Sequence, residues 1–421
     1  MKKFISIFLI LITCFILFAE TIPAVKYDNL DFTFQPTMAR YDAMGQSGLA
    51  SPTKIDSFYT NPANLAIKRG FAIAVPSISV TFYNLQKLMA DADAMAAFDR
   101  IVKGNADDSD PATLATKYLE NLGSGKNAIT KIDLGLGVQL GIVGLGTNVQ
   151  VKMHSLNNGS SLVDMNLIPE VNVAQTVALG LKVIDTESLS LSVGAASHGI
   201  YKAYFKGIGG NKVINLINNS DQIPEILLWK TPIMGGWAIT ADLGATLGLF
   251  NDTFLISTTS SNINGKYHMQ SFGGAGYLIN SFSEGAIQGA PEEDPGESVS
   301  FDLETPWTLN FGVAYSPKWT LINPTITADL IDMFGMIQGI GKDNFRASDL
   351  LLHLNAGFEL EVLKVVTARV GVNRGFMSVG AGVNLFVLKI DAAYGWQEFG
   401  VELGDKPVDS FTVKIAIGYD R

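Results

Sequence analysis

Four histidines, one cysteine and two short acidic runs are the residues of this 421-residue chain that could do covalent or metal chemistry. His154, His198, His268 and His353 lie far apart, with no serine or aspartate motif beside any of them. No H-E-x-x-H, C-x-x-C, G-x-S-x-G or G-x-x-x-x-G-K-[ST] pattern occurs. Gly45-Gln46-Ser47-Gly48 falls one residue short of a nucleophile elbow. Glu292-Glu293-Asp294, between Pro291 and Pro295, and Asp107-Asp108-Ser109-Asp110 read as solvated loop tips rather than cation sites. His353 is expected in a wall hydrogen-bond network. The chain therefore reads as a non-enzyme, with no catalytic residue, no metal set and no cofactor.

The bulk composition points elsewhere. Charged residues make up 17% against a usual ~25%, apolar residues 47%, and 42 residues are glycine. Mean hydropathy is +0.23, yet no run of ~20 apolar residues follows residue 19, which excludes a helical membrane protein. The apolar content excludes disorder. A net charge of −10 gives nucleic acid no electrostatic reason to bind. Residues 1–19 read as a signal peptide: Met1-Lys2-Lys3 is the basic start, Phe4 to Phe18 the apolar centre, and Ala19 precedes cleavage. Cys14 sits within that stretch, and Thr13 before it makes a poor lipidation signal.

Beyond residue 70 the period is two. In the run from Trp307 to Tyr315 odd positions are large and apolar, even ones small or polar; runs ending at Val362, Val372, Leu385, Trp396 and Tyr419 repeat this. Such runs of nine to eleven residues suit a tilted crossing of a bilayer. Lys389, Asp391, Glu359, Glu361, Arg369, Asp329, Asp133 and Lys414 fall on the polar faces, as expected of a crowded lumen, with Glu359 pairing Arg369 across neighbouring strands. Trp307 and Tyr315, and again Phe411 and Tyr419, stand eight residues apart on apolar faces, the spacing of two aromatic girdles; Tyr394 and Trp396 mark one girdle on a third strand.

Fourteen strands are expected, at 70–83, 128–141, 145–156, 168–182, 188–204, 232–249, 252–266, 305–316, 321–333, 351–363, 364–373, 376–386, 387–398 and 409–420. Short connections alternate with long ones, as in outer-membrane barrels, and Arg374-Gly375 is the exception. Leu85 to Val102 and Leu114 to Leu122 read as loop helices, with a weaker one over Asn211 to Leu228.

Residues 20–69 do not alternate. They hold the small-residue stretch Ala39 to Ala50, then Tyr59-Thr60-Asn61-Pro62-Ala63-Asn64-Leu65-Ala66, just before the first strand. This segment resembles the N-terminal hatch of FadL-type transporters of long-chain fatty acids and other hydrophobic compounds. Asn61-Pro62-Ala63 matches the family's turn, and Asn64 stands in place of a glycine, in a left-handed conformation that asparagine tolerates. The order of strands from Pro306-Trp307 onward is similar as well.

The resemblance implies an all-β transmembrane barrel over 70–421, an N-terminal hatch over 20–69 and helical extracellular loops. It implies uptake of a long-chain fatty acid or other hydrophobic small molecule through the outer membrane, with hatch rearrangement and sideways exit. Asn61, Pro62, Ala63 and Asn64 would then be gating residues. Leu85, Leu88, Met89, Met95 and Phe98 are candidates for ligand capture, and Glu359, Arg369, Lys389 and Asp391 for a lumen network. Gly135, Gly137, Gly141, Gly144 and Gly146 mark the expected gap in the wall. Outer-membrane lipid is the expected surrounding partner and a monomer the expected state. A passive porin, and a non-transporting structural or secretion-associated surface barrel, share most of these features.

Overall fold

Alternation at period two produces fourteen antiparallel strands that close on themselves. In the computed structural model the described residues are 33–107, 109–159, 162–213, 223–289, 299–317, 319–341, 346–400 and 403–420. The expected signal peptide with Cys14, residues 20–32 of the expected hatch and the run Glu292 to Asp294 lie outside them.

The strands are β1 Gly70–Tyr83, β2 Gly125–Gly141, β3 Val143–Asn157, β4 Asn166–Asp185 and β5 Leu189–Phe205. There follow β6 Ile233–Leu249, β7 in two parts (Phe254–Ile263 and Lys266–Phe272) and β8 in two parts (Ser300–Glu304 and Thr308–Tyr315). The last six are β9 Ile322–Leu330, β10 Leu354–Val362, β11 Val366–Asn373, β12 Phe376–Leu385, β13 Leu388–Glu398 and β14 Pro407–Asp420. Each pairs with its sequence neighbours, and β1 pairs with both β2 and β14, so the ring has no free edge. Pro306, which lacks a donor, sits in the break of β8.

Several strands are longer than the nine to eleven residues of the alternating runs. β2, β5 and β6 have 17 and β4 has 20. Twenty residues at ~3.3 Å span about 50 Å along the membrane normal at a ~40° tilt, twice the ~25 Å apolar band. The excess carries the long loops clear of the membrane. Ile78, Leu134, Leu136, Val173, Val177, Ile239, Val370, Val379, Ile415 and Ile417 point outward and are exposed. Ser79, Asp133, Gln150, Glu170, Lys202, Thr246, Asp329 and Glu359 alternate with such positions and are buried. A closed barrel that is greasy outside and polar inside is an outer-membrane barrel.

The girdle expectation divides. Tyr315 and Tyr419 are exposed at strand ends, and Phe411 is exposed at the fifth residue of β14. Trp307 is not a girdle residue: it sits beside the β8 break, where its ring N–H donates to Ser260 and its ring packs 5.0 Å from that of Phe334. Tyr394 and Trp396 pack edge to face at 4.9 Å.

At one end the strands are joined by tight turns such as Leu363-Lys364 and Phe386-Val387, with Leu363, Lys364 and Phe386 at positive φ. The other end carries the long loops. Residues 85–102, read as one helix, are two, because the Asp91 carboxylate accepts from the N–H groups of Asp93 and Ala94 at 3.0 Å and starts a new helix. These helices are α4 Leu85–Ala90 and α5 Ala92–Val102, followed by α6 Asp110–Glu120, α7 Ile223–Trp229, α8 Ala275–Phe282 and α9 Met333–Ile340. Three shorter helices precede the barrel: α1 Ala39–Ala43, α2 Ser57–Thr60 and α3 Asn64–Ile67.

Candidate functional site

Residues 33–69 meet the barrel wall through polar bonds and through Phe58 and Leu65, which pack on Ala178 and Ala196. From α1, Arg40 donates to both oxygens of Glu359 on β10 at 2.8 Å. The N–H groups of Gly48 and Leu49 donate to Asp329 on β9 at 2.6 and 3.0 Å. Ser47 donates to Thr327, Thr37 to Asp133, and Lys414 on β14 to Asp56 at 3.1 Å. These bonds end on residues of β2, β9, β10 and β14.

Asn61 and Asn64 act through their side chains. Asn61 donates to the Leu49 carbonyl at 3.1 Å and to Thr246 on β6 at 3.0 Å, while its own oxygen accepts from the Ala63 N–H at 3.1 Å. Asn64 donates to the same Leu49 carbonyl at 3.0 Å and accepts from Thr246 at 3.1 Å. The left-handed conformation expected at Asn64 is absent: it is the first residue of α3, following the αR residue Ala63. Two buried amides meeting on one carbonyl and one hydroxyl explain why asparagine serves where a glycine was expected.

Glycines on the wall make room for this packing. A Cβ on Gly194 would run into Pro62 and Ala63, one on Gly180 into Ala66, and one on Gly244 into Asn61. Gly137 faces Ile55, Gly144 faces Phe58 and Gly146 faces Tyr59 in the same way. Between β2 and β3 themselves the expected gap is absent. Gly135↔Asn148, Gly137↔Gly146 and Gln139↔Gly144 pair without a break. These glycines seat the segment, and the wall between β2 and β3 stays closed.

The wall is interrupted on the other side of β2, where Ala74↔Gly137 and Ser77↔Gly135 flank a shift of register. On β1 both ladders shift between Ala74 and Ser77, across Val75-Pro76. Pro76 cannot donate to a neighbour, and Val75 is exposed on the outer side.

Residues 33–69 divide the lumen into two chambers. The upper one, on the side of the long loops, has a volume of about 1080 Å³ and is lined by Phe34, Leu49, Ile200 and Trp396 beside Lys131 and Lys152. The lower one, about 910 Å³, opens among the tight turns. Seven of the eight charged residues assigned to polar strand faces line it: Asp133, Glu359, Glu361, Arg369, Lys389, Asp391 and Lys414. Glu359 pairs with Arg369 in register and accepts from it at 2.7 Å, and Arg369 also donates to Asp391. Arg40, which joins this network from the plug side, was not singled out in the sequence. Its signal was a lone arginine in a stretch of small residues.

None of Leu85, Leu88, Met89, Met95 and Phe98 lines either chamber. Met89, Met95 and Phe98 are exposed on α4 and α5, and Ala94 and Ala97 are buried in their stead.

Of the histidines, His353 donates from Nδ1 to the Ile331 carbonyl, 3.1 Å away, in a 3₁₀ turn before β10. His198 is in the lumen. Its Nδ1 lies 2.8 Å from the Thr176 hydroxyl and its Nε2 3.2 Å from Asp242. Hydroxyl, imidazole and carboxylate stand here in the order of a catalytic triad. An oxyanion hole needs spare N–H groups, however, and Thr176 and its neighbours pair on both sides in the ladders of β3 and β5. The chain of bonds instead holds the His198 ring 6.0 Å from that of Tyr59, stacked at 25°.

No protein-family model and no curated protein matches this chain. Similar solved structures include the CymD monoaromatic hydrocarbon channel, at 11% identity over 91% of this chain and 97% of that one, TM-score 0.46. The P. putida toluene transporter TodX gives 10% identity, 91% and 98% coverage and a TM-score of 0.44. A third is a Pseudomonas aeruginosa FadL homologue, at 13% identity, 93% and 100% coverage and TM-score 0.43. FadL is the family that the Asn61-Pro62-Ala63 segment resembles. All three scores fall below 0.5 and all three identities below 25%, so the fold assignment rests on the strand ladders themselves.

Proposed function

We propose that this protein is a FadL-type channel that takes up small hydrophobic molecules, long-chain fatty acids or compounds of similar character, across the outer membrane. The observation that carries this reading is the lumen cut in two by residues 33–69. An open pore for polar solutes has no use for such a stopper. The upper chamber matches the upper end of the ~300–1,000 Å³ range of small-molecule sites. Each CH₂ buried there contributes ~0.8 kcal/mol, and Lys131 and Lys152 suit a carboxylate at the polar end.

Met89, Met95 and Phe98, with Leu85 and Leu88 behind them, offer the first apolar contact on the loop side. The ligand then enters the upper chamber and moves on when Asn61, Pro62, Ala63 and Asn64 release Leu49 and Thr246. The lower chamber is lined with charge, but Ala74 and Ser77 beside the β1 shift also line it, so an alkyl chain that passes the segment meets this stretch of wall there. Exit sideways into lipid is favoured where β1 lacks ladder bonds at Val75-Pro76. The molecule acts as a monomer in this scheme, with membrane lipid at its outer face.

Uptake of labelled oleate by cells producing the protein tests this reading. Uptake above that of cells lacking it supports the proposal. A steady large ion conductance of the wild-type protein in planar bilayers, with no gain in oleate uptake, would make it a porin.

A further inference from the structure

Pro36, Met38 and Tyr59 are common to the linings of both chambers. Each of the three therefore reaches from one chamber to the other. Met38 and Pro36 are buried, and neither offers a side-chain hydrogen bond. Tyr59 is held from three directions: its hydroxyl donates to Asn148 on β3, its face stacks on His198 of β5, and the Phe58 ring packs 6.0 Å away. A Cβ on Gly146 would collide with the Tyr59 hydroxyl, so the ring fills its slot to contact. Elsewhere the partition is tied by charged or amide bonds: Arg40 to Glu359, Gly48 and Leu49 to Asp329, and Asn61 and Asn64 to Thr246. Phe58 and Leu65 also pack on the wall at Ala178 and Ala196, but among the described residues the three shared ones alone reach both chambers, and none of them holds an ion pair that a passing apolar molecule would strip.

We infer that Pro36, Met38 and Tyr59 form the sieve that sets the cross-section of the hydrophobic molecule this channel accepts, with Tyr59 as the specificity-determining residue. The inference rests on the uptake reading and adds which residues select the cargo. A flexible alkyl chain or a single ring passes beside Tyr59 once its ring turns away from His198, whereas a fused polycyclic body does not. Asp242 and Thr176 hold the His198 ring in the plane against which Tyr59 closes.

The test uses the full chain in planar bilayers and in producing cells. Tyr59→Ala combined with Met38→Ala is expected to raise ion conductance several-fold over wild type. Tyr59→Phe keeps the ring on His198 and is expected to stay close to wild type. Val370→Ala, on the outer face of β11 and in neither chamber, is expected to leave conductance unchanged. Uptake is compared for dodecanoate and pyrene-labelled dodecanoate: wild type is expected to favour the slim probe, and the double variant to lose that preference. The inference is overturned if the double variant runs as a folded barrel on an unheated gel yet conducts like wild type. It is equally overturned if conductance rises and the preference persists. Should wild type take up neither probe, the uptake reading fails, and the conductance of the double variant still decides whether the partition opens here.

Discussion

Arg40 on α1 and Glu359 on β10, 319 residues apart in the chain, are joined by two parallel hydrogen bonds of 2.8 Å. Both are largely shielded, with side-chain exposures of 15% and 11%. Glu359 also accepts from Arg369 at 2.7 Å, so the wall keeps a counter-charge if the plug residue is removed. Losing one partner of a buried pair costs ~3–5 kcal/mol. The remaining Arg369 reduces that to about 1–3 kcal/mol for Arg40→Ala by the same reasoning. The expected outcome is faster trypsin cleavage after Lys54 and Lys68 with the barrel still folded on an unheated gel. Cleavage at the wild-type rate would mean that the pair does not hold the segment.

Gly194 and Gly199 lie on the same strand, and their surroundings differ. A Cβ on Gly194 meets Pro62 and Ala63, while one on Gly199 meets nothing within 4 Å. Overpacking of a tight interior typically costs ~1–3 kcal/mol. Gly194→Ala is therefore expected to lower the thermal unfolding midpoint in detergent and to expose the plug to protease. Gly199→Ala should do neither. Equal behaviour of the two variants would contradict the seating role given to the wall glycines.

The loop helices carry an acid-sensitive clasp. Arg100 on α5 donates to Asp110 at the start of α6, with Nε 2.9–3.0 Å from the two carboxylate oxygens. Those bonds, more than any other cause, hold the Asp110 carboxyl below its ordinary value. A carboxyl lowered in the folded state stabilises above its unfolded value, and the contribution is lost as pH falls through the folded one. Hydrogen exchange of residues 92–120, corrected for intrinsic rate, is expected to rise relative to the barrel strands below about pH 4. Asp110→Asn should show the raised exchange at neutral pH already. A flat ratio down to pH 3 would show that the clasp contributes nothing.

Val75-Pro76 interrupts both ladders of β1. Pro76→Val returns an N–H donor, and a ladder bond contributes ~0.5–1.5 kcal/mol. The variant is expected to be slightly more heat-stable and slower in oleate uptake if the cargo leaves through this stretch of wall. Unchanged uptake with raised stability would move the exit elsewhere.

Much of this architecture was legible in the chain because a bilayer imposes period two over long runs. β1 falls at 70–83 as the alternation predicts, and the Glu359–Arg369 register follows from counting inward positions. Strand ends were less legible. Past the apolar band, alternation fades while ladder bonds continue, so β4 runs to 20 residues. Trp307 misled because an indole beside a proline break can turn to Ser260 without any mark in the local pattern. The glycines of β2 and β3 carried two signals: Gly137, Gly144 and Gly146 give room to Ile55, Phe58 and Tyr59, and Gly135 and Gly137 also stand opposite the register shift of β1. Arg40, Tyr59 and His198 meet partners far away in sequence, and no spacing rule reaches across such distances.

Cells producing the chain can be offered labelled oleate, labelled toluene and labelled glucose in parallel. A stoppered channel for hydrophobic molecules is expected to raise uptake of at least one apolar probe and to leave glucose unchanged. A gain in glucose entry equal to that of the apolar probes, or no gain in either, would contradict it.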